Sequence, residues 1–134
     1  MADADNLQAT QEAYGEFGRG DIPAVLNRLT NDVEWITHGP TEIPLYGTQR
    51  GKGAVGEWFG VLGQELEFHA FEPHDFIAQE DKVAALVHSE VTVRRTGRRV
   101  TNELAHVFTY RDGKIARFEE FEDTAAVVAA YRGE

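Results

Sequence analysis

A threonine and a histidine close the stretch Glu34-Trp35-Ile36-Thr37-His38-Gly39-Pro40, where an apolar strand runs into a Gly-Pro break. Polar groups at a strand end beside a loop are well placed for binding or catalysis. An imidazole, with an ordinary pKa of about 6.5, also suits a general base at neutral pH. Alternation puts Val33, Trp35 and Thr37 on one face of the strand and Glu34, Ile36 and His38 on the other. Regular geometry therefore points Thr37 inward and His38 away, unless the Gly39-Pro40 break twists the strand end.

Other chemistry-bearing residues are more scattered. His69 and His74, with Glu72 and Asp75 nearby, are metal-ligand types, yet both imidazoles share a strand face only if a bulge or turn intervenes. His88 and Glu90 share a face with Ala84 and Leu86. With a two-residue loop at Thr96-Gly97, Glu90 lies opposite Glu103, as a repelling or proton-sharing pair. With a three-residue loop it faces Asn102 instead, and an outward, wet sheet face accommodates either arrangement. Ser89 is the only serine and lacks a Gly-x-Ser-x-Gly elbow. Lys52, Lys82 and Lys114 sit at turns, where desolvation is too weak for Schiff-base chemistry. Arg50-Gly51-Lys52-Gly53 lacks the spacing of a phosphate loop.

These residues need a scaffold, and the totals bound it. The 134 residues suit one domain spanning 1–134, and the absence of cysteine excludes disulfides and thiolate chemistry. A net charge of −10 argues against nucleic acid and anionic membrane surfaces. The opening residues have neither the basic nor the apolar run of a secretory signal, and no apolar run approaches the ~20 residues that span a bilayer. The expected location is cytoplasmic. Of the 13 basic residues, four lie in Arg94-Arg95-Thr96-Gly97-Arg98-Arg99, which reads as a solvated hairpin tip.

Leu7, Thr10, Tyr14 and Phe17 recur at helical spacing, giving a helix over about 6–18. Asp21 caps a second helix with Pro23 in its first turn. Val55, Trp58, Phe59, Leu62 and Leu66 form the apolar side of a third, beside a stripe of Gly56, Gly60 and Gly63 that suggests close approach of a strand or ligand. From residue 67 the period changes to two. Strands follow at about 67–79, 82–95, 98–111 and 114–122, with Asp112-Gly113 a strong hairpin signal. Phe118 and Phe121 fall on opposite faces, which implies a bulge or two-sided burial. Asp123 caps a short last helix ending near Tyr131. Helices first and a four-stranded meander last give an α+β fold with helices on one face of a curved antiparallel sheet.

The chain resembles the SnoaL-like, ketosteroid isomerase-related proteins of the nuclear transport factor 2 superfamily. The resemblance is carried by Tyr14-x2-Phe17-x2-Gly20-Asp21, Leu29-x2-Asp32-Val33-x-Trp35, Gly47-x3-Gly51-Lys52 and the run from His106 to Ile115, His-Val-Phe-Thr-Tyr-Arg-Asp-Gly-Lys-Ile. Phe118-x2-Phe121-x-Asp123-Thr124-Ala125 completes it, so that residues 7–131 are covered. It implies a cone-shaped curved sheet around the N-terminal helices, a deep apolar pocket and a homodimer formed through the outer sheet face. The superfamily hosts isomerases, cyclases, dehydratases, epoxide hydrolases and non-enzymes, so fold does not name the reaction.

In the ketosteroid isomerases an Asp base stands near the end of the first strand, and a Tyr and a protonated Asp make the oxyanion hole. Those positions fall here on Thr37 or His38, on Ala13 beside Tyr14, and near Ala105 or His106, so none is matched in type. The Asp-Arg-Asp set of the epoxide hydrolases is absent too. The resemblance thus implies a small, largely apolar ligand and either proton transfer (isomerisation, cyclisation or dehydration) or binding without chemistry, no cofactor or metal being called for. A dimeric domain filled by its own aromatics is the third reading. For the first, His38 is the expected base, with Tyr14, Glu103 or His106 bonding the oxyanion. The expected pocket wall is Phe17, Trp35, Thr37, Trp58, Phe59, Leu62, Val107 and Phe121.

Overall fold

The apolar repeat from Leu7 to Phe17 lies in α1 (Ala2–Gly18) of a computed structural model that describes residues 2–134. Gly20, at φ +73°, turns the chain out of it. Asp21 then caps α2 (Ile22–Asn27), its carboxylate accepting from the Ala24 N–H at 3.2 Å. Arg28, at the end of α2, donates to Glu16 at 2.7 and 2.8 Å and to Glu12 at 3.1 Å, tying α2 to α1. Burial and that guanidinium act oppositely on Glu16, and the Arg28 bond dominates, holding its carboxyl below the usual range.

Six strands form one sheet in the order β2-β1-β6-β5-β4-β3, with β1 (Leu29–Thr37), β2 (Gly47–Arg50), β3 (Leu66–Gln79), β4 (Lys82–Val93), β5 (Arg98–Arg111) and β6 (Lys114–Phe121). Helices α3 (Lys52–Glu65) and α4 (Thr124–Tyr131) complete the α+β architecture. The expected meander β3 to β6 is present. Two features go beyond it: the short β2 lies inside what reads as a Pro/Gly loop, and β1 pairs parallel to β6, which makes the sheet mixed.

Register corrects the expectation at the β4–β5 hairpin. Val93 pairs with Arg98, so the loop has four residues, 94–97, with Gly97 at φ +76°. That slip sets His88 opposite Glu103 and Glu90 opposite Thr101, so neither two-residue nor three-residue pairing holds. The arginines of the loop are engaged with the helices. Arg95 spans Glu65 with two 3.0 Å bonds and stacks on Tyr131, while Arg94 and Arg98 donate to the carbonyls of Gly63 and Gly133.

Inward residues of β1, β3, β4, β5 and β6 meet α1 and α3 in a core that includes Leu29, Val33, Val55, Val83, Phe108, Ile115 and Phe118. Interruptions of pairing at His69 and His74 bend β3, and another between Thr109 and Tyr110 bends the β5–β6 pair. Of the glycine stripe on α3, only Gly56 meets a close neighbour, Leu26 of α2, while Gly60 and Gly63 face open space. No described helix is long and apolar enough to cross a membrane.

Candidate active site

An apolar cavity of about 120 Å³ lies between the inner sheet face and the helices. In that measure one water needs roughly 10–15 Å³, so there is room for on the order of ten water-sized spheres, the scale of a small ring compound. Phe17, Trp35, Trp58, Phe59, Leu62 and Thr37 line it, as the alternation of β1 and the periodicity of α1 and α3 imply. Val107 and Phe121 do not. In the β5–β6 register Phe108 and Phe118 are the inward pair, and Val107 and Phe121 face out. Phe121 is 44% exposed and stacks on the His38 ring at 4.6 Å, so alternation continues unbroken between Phe118 and Phe121.

His38 is likewise outside the cavity. The Gly39-Pro40 break does not twist it inward. Its Nε2 bonds Glu119 Oε2 at 2.9 Å on the outer face. Glu103 also faces out, beside His88 and His74. Thr37 points in and is 2% exposed. Gly39 has another use: a Cβ there would overlap the Tyr46 ring, so only glycine lets Tyr46 fold back over the strand end.

The remaining two candidates meet. Tyr14, from α1, and His106, from β5, are joined by a 2.7 Å bond between the phenol oxygen and Nδ1. His106 is paired across the strands with Glu120 of β6, and its Nε2 lies 2.8 Å from Glu120 Oε1. Burial, then the nearby Glu120, pushes the Tyr14 phenol far up, so it stays protonated and donates to Nδ1. The Nε2–H is then the donor to Glu120. Tyr14 is clasped by Phe71, Phe76 and Phe108, and a 2.6 Å bond between Thr10 and Tyr110 anchors its helix to β5.

Glu120 is the residue sequence reasoning passed over. It sits beside Thr37 in the parallel β1–β6 register, and the His38 N–H donates to its backbone carbonyl. Where the resemblance to the ketosteroid isomerases implies a carboxylate at the end of the first strand, this chain has a hydroxyl at 37 and a carboxylate one strand over. Its signal was available: Glu120 shares a face with Phe118, so it is a carboxylate on an apolar face. The doubt over Phe118 and Phe121 hid it.

Two residues on, Glu122 also lines the cavity and accepts from the Tyr46 hydroxyl at 3.0 Å. Burial, with Glu120 nearby, pushes its carboxyl up to about 8. Its place is set by Asn102, whose amide makes two 3.2 Å bonds to the backbone of Asp123. Among the described residues, no lysine or arginine lines the cavity. The Thr37 hydroxyl and the Trp35 indole N–H are buried without a protein partner. The bulges at His69 and His74 do not bring those imidazoles together: His69 bonds Thr92, and His74 bonds Asp75 and Glu103. Among the described residues no cluster of three His, Asp or Glu is arranged to hold a metal ion.

The arrangement can therefore move protons: a carboxylate base aimed into an apolar space, an imidazole behind it, and protonated donors at either end. Comparison with known proteins agrees on the scaffold. The sequence profile of the SnoaL-like domain matches residues 10–118. No curated protein matches the sequence. An NTF2-like protein of Burkholderia xenovorans LB400 is 29% identical over 96% of each chain, with a TM-score of 0.87. One from Burkholderia pseudomallei K96243 is 30% identical over 94% of this chain and 96% of that one, also at 0.87. TerC, co-crystallised with polyporic acid, is 30% identical over 96% of this chain and 98% of its own, with a TM-score of 0.85.

Proposed function

The chain belongs to the SnoaL-like domain family, and on that footing we propose that its cavity binds a small, largely apolar carbonyl compound and moves a proton on it, with Glu120 as the base. The observation that carries this reading is the buried chain Tyr14–His106–Glu120 on the wall of an aromatic-lined space. The carboxylate faces the aromatic-lined space, and the His106 N–H holds it in place at 2.8 Å. Apolar walls with a few convergent polar groups suit a neutral ring compound. With carboxyls and no cationic side chain on the wall, an anionic ligand is disfavoured. TerC, a relative co-crystallised with polyporic acid, supports a small organic ligand in this family. Isomerisation, cyclisation and dehydration all begin with the same abstraction.

The test is hydrogen exchange of 2-indanone in deuterated buffer, followed by the loss of its α-proton NMR signal. The protein should accelerate exchange, and Glu120→Gln should slow the catalysed part by roughly 100-fold or more. Exchange no faster than in buffer removes the proton-transfer reading.

A second reading is favoured by one observation: both ring nitrogens of His106 are already occupied within the wall. On that reading the cavity binds and does no chemistry, and 2-indanone raises the melting temperature without exchanging. In either case the outer sheet face, with Ile77, Leu86 and Phe121 exposed, is the surface we assign to a second copy of the chain.

A further inference from the structure

We propose that the cavity has a second polar end, built from Ser89 and Asn102, and that its ligand is a neutral ring compound carrying an oxygen at each end. The proposal rests on the binding part of the reading above: the ketone lies at the Glu120 end, and a hydroxyl at the far end is held by Ser89. The inward residues of the sheet fall into rows. Thr37, Glu120 and His106 are paired across β1, β6 and β5 and make one polar row. Ser89 and Asn102 are paired across β4 and β5 and make another. Between them Val87 is paired with Leu104, so an apolar row separates the two polar ones. The four residues of β5 from Asn102 to His106 span roughly 13 Å at an ordinary strand rise.

Ser89 marks the second row as a ligand contact. It is 6% exposed and lines the cavity, yet among the described residues its hydroxyl has no hydrogen-bond partner. Nor is that hydroxyl sealed within the wall, as the polar atoms of Thr37 and Trp35 are. A hydroxyl left free beside apolar groups costs free energy until something bonds it. A lone water finds few further partners there, because the other cross-strand neighbour of Ser89 is Phe71. Asn102 is held in place: its Oδ1 accepts from the Asp123 N–H and its Nδ2 donates to the Asp123 carbonyl, both at 3.2 Å. Those two bonds settle which amide atom is which and leave one Nδ2–H over. Ser89 and Asn102 together suit a neutral hydroxyl. An ionised group has no countercharge there, since among the described residues no lysine or arginine lines the wall.

The space between the two ends is walled by rings. Phe71 packs against Phe17 with centroids 5.1 Å apart, and Trp35 against Phe59 at 5.5 Å. Aromatic walls hold a flat apolar body by its area and do little to choose its direction. With a polar contact at one end only, a ligand could enter either way round. A second contact at the far end decides which end meets Glu120, and so selects both length and direction. Neither cross-strand neighbour of Ser89 is a base, so its hydroxyl acts as a hydrogen-bonding group and not as a nucleophile. Ser89 is thereby a specificity residue that takes no part in proton transfer.

Titration calorimetry with 2-tetralone, 6-hydroxy-2-tetralone and 8-hydroxy-2-tetralone tests this. The three share one skeleton, and only the 6-hydroxyl lies at the end opposite the ketone. Burying a phenol hydroxyl without a partner weakens binding, so a gain from it reports a bond. The wild type should bind 6-hydroxy-2-tetralone about tenfold more tightly than 2-tetralone, and 8-hydroxy-2-tetralone no more tightly than the parent. Ser89→Ala should bring the Kd values of the 6-hydroxy compound and the parent together. The wild-type comparison needs no variant, so it decides the matter even if Ser89→Ala does not fold. Equal Kd values for 2-tetralone and its 6-hydroxy derivative on the wild type overturn the proposal and leave the apolar pocket reading standing. A preference that survives Ser89→Ala also overturns it. A wild type that binds none of the three overturns both. Binding of the 6-hydroxy compound with the expected preference but without exchange of its α-protons supports the second polar end and removes only the chemistry assigned to Glu120.

Discussion

The two faces of one sheet carry the same residue types and do opposite things with them. Inside, His106 and Glu120 form a single buried contact, with Tyr14 and Glu122 extending it into an apolar cavity. Outside, His74, Glu103, His88 and Glu90 make a row in which each imidazole lies between two carboxylates, Asp75 being the second partner of His74. His88 bonds Glu103 at 2.5 Å and Glu90 at 2.8 Å, and both ring nitrogens donate, so the ring is an imidazolium pushed up to about 9. Glu90 and Glu103 are correspondingly held low by His88. Outside, the charges of the row are paired and exposed, so nothing in it is left poised to react. Inside, Glu120 has one imidazole and Glu122 only the Tyr46 hydroxyl, and burial raises the Glu122 pKa. Environment, and not residue type, separates the catalytic candidate from the surface row.

The largest expected effect breaks the inner arrangement at its centre. His106→Leu keeps the volume roughly constant but leaves Glu120 and the Tyr14 hydroxyl without their partner. Removing one member of a buried pair costs about 3 kcal/mol or more, which urea unfolding will measure. His88→Leu on the outer face should leave the urea midpoint little changed. Equal losses at the two sites would erase the distinction drawn between the faces.

Next comes a pH dependence generated by the inner face. Glu122 has its folded pKa raised from 4.5 to about 8. Between those values the folded state holds a proton that the unfolded chain releases. The contribution is fully present below about 4.5 and is lost as pH rises through 8. Wild-type stability should therefore decline across that window, by on the order of 2–3 kcal/mol, and Glu122→Gln should flatten the curve. A smaller effect is expected at the end of the chain. Tyr14→Phe removes one hydroxyl donor to Nδ1 and should cost about 1 kcal/mol, with the 2-indanone exchange rate reduced but not abolished.

Much of this was legible in the sequence, for identifiable reasons. Helical spacing from Leu7 to Phe17, the aspartate caps at 21 and 123 and the Asp112-Gly113 turn are local signals, and the elements fall within a few residues of them. Pairing is not local. Nothing in the apolar alternation of β1 says that it runs parallel to β6, yet that register is what sets Glu120 beside Thr37. β2 has four residues, too few for a periodic pattern among prolines and glycines. The β4–β5 loop turned out to hold four residues, and each residue of slip moves a different side chain opposite Glu90. Val107 and Phe121 went to the wrong wall for a related reason: Phe118 and Phe121 cannot both face in. His38 was attractive as a base because of its type, but its outward position follows from the same alternation that sends Thr37 in.

The smallest expected effect belongs to the outer row, and it sharpens the comparison most. Glu103→Gln removes the carboxylate that links His74 to His88. On a wet face such pairs are screened, so the melting temperature should shift only slightly, and the difference from wild type should vanish in 1 M salt, where the screening length is about 3 Å. The pH response has a definite sign. His88, with its folded pKa raised, contributes fully below about 6.5 and ceases to contribute as pH rises through 9. Glu90 and Glu103, with theirs lowered, contribute above about 4.5 and lose that contribution as pH falls. Any stabilisation by the row is thus greatest between about pH 4.5 and 6.5, and Glu103→Gln should be most visible there. The alternative outcome is equally informative. If a second copy covers this face, the row is desolvated, screening no longer reaches it, and Glu103→Gln becomes salt-insensitive and costly, with a stability that depends on protein concentration. Melting curves at two salt and two protein concentrations therefore decide whether the outer His–Glu row is exposed or belongs to an interface.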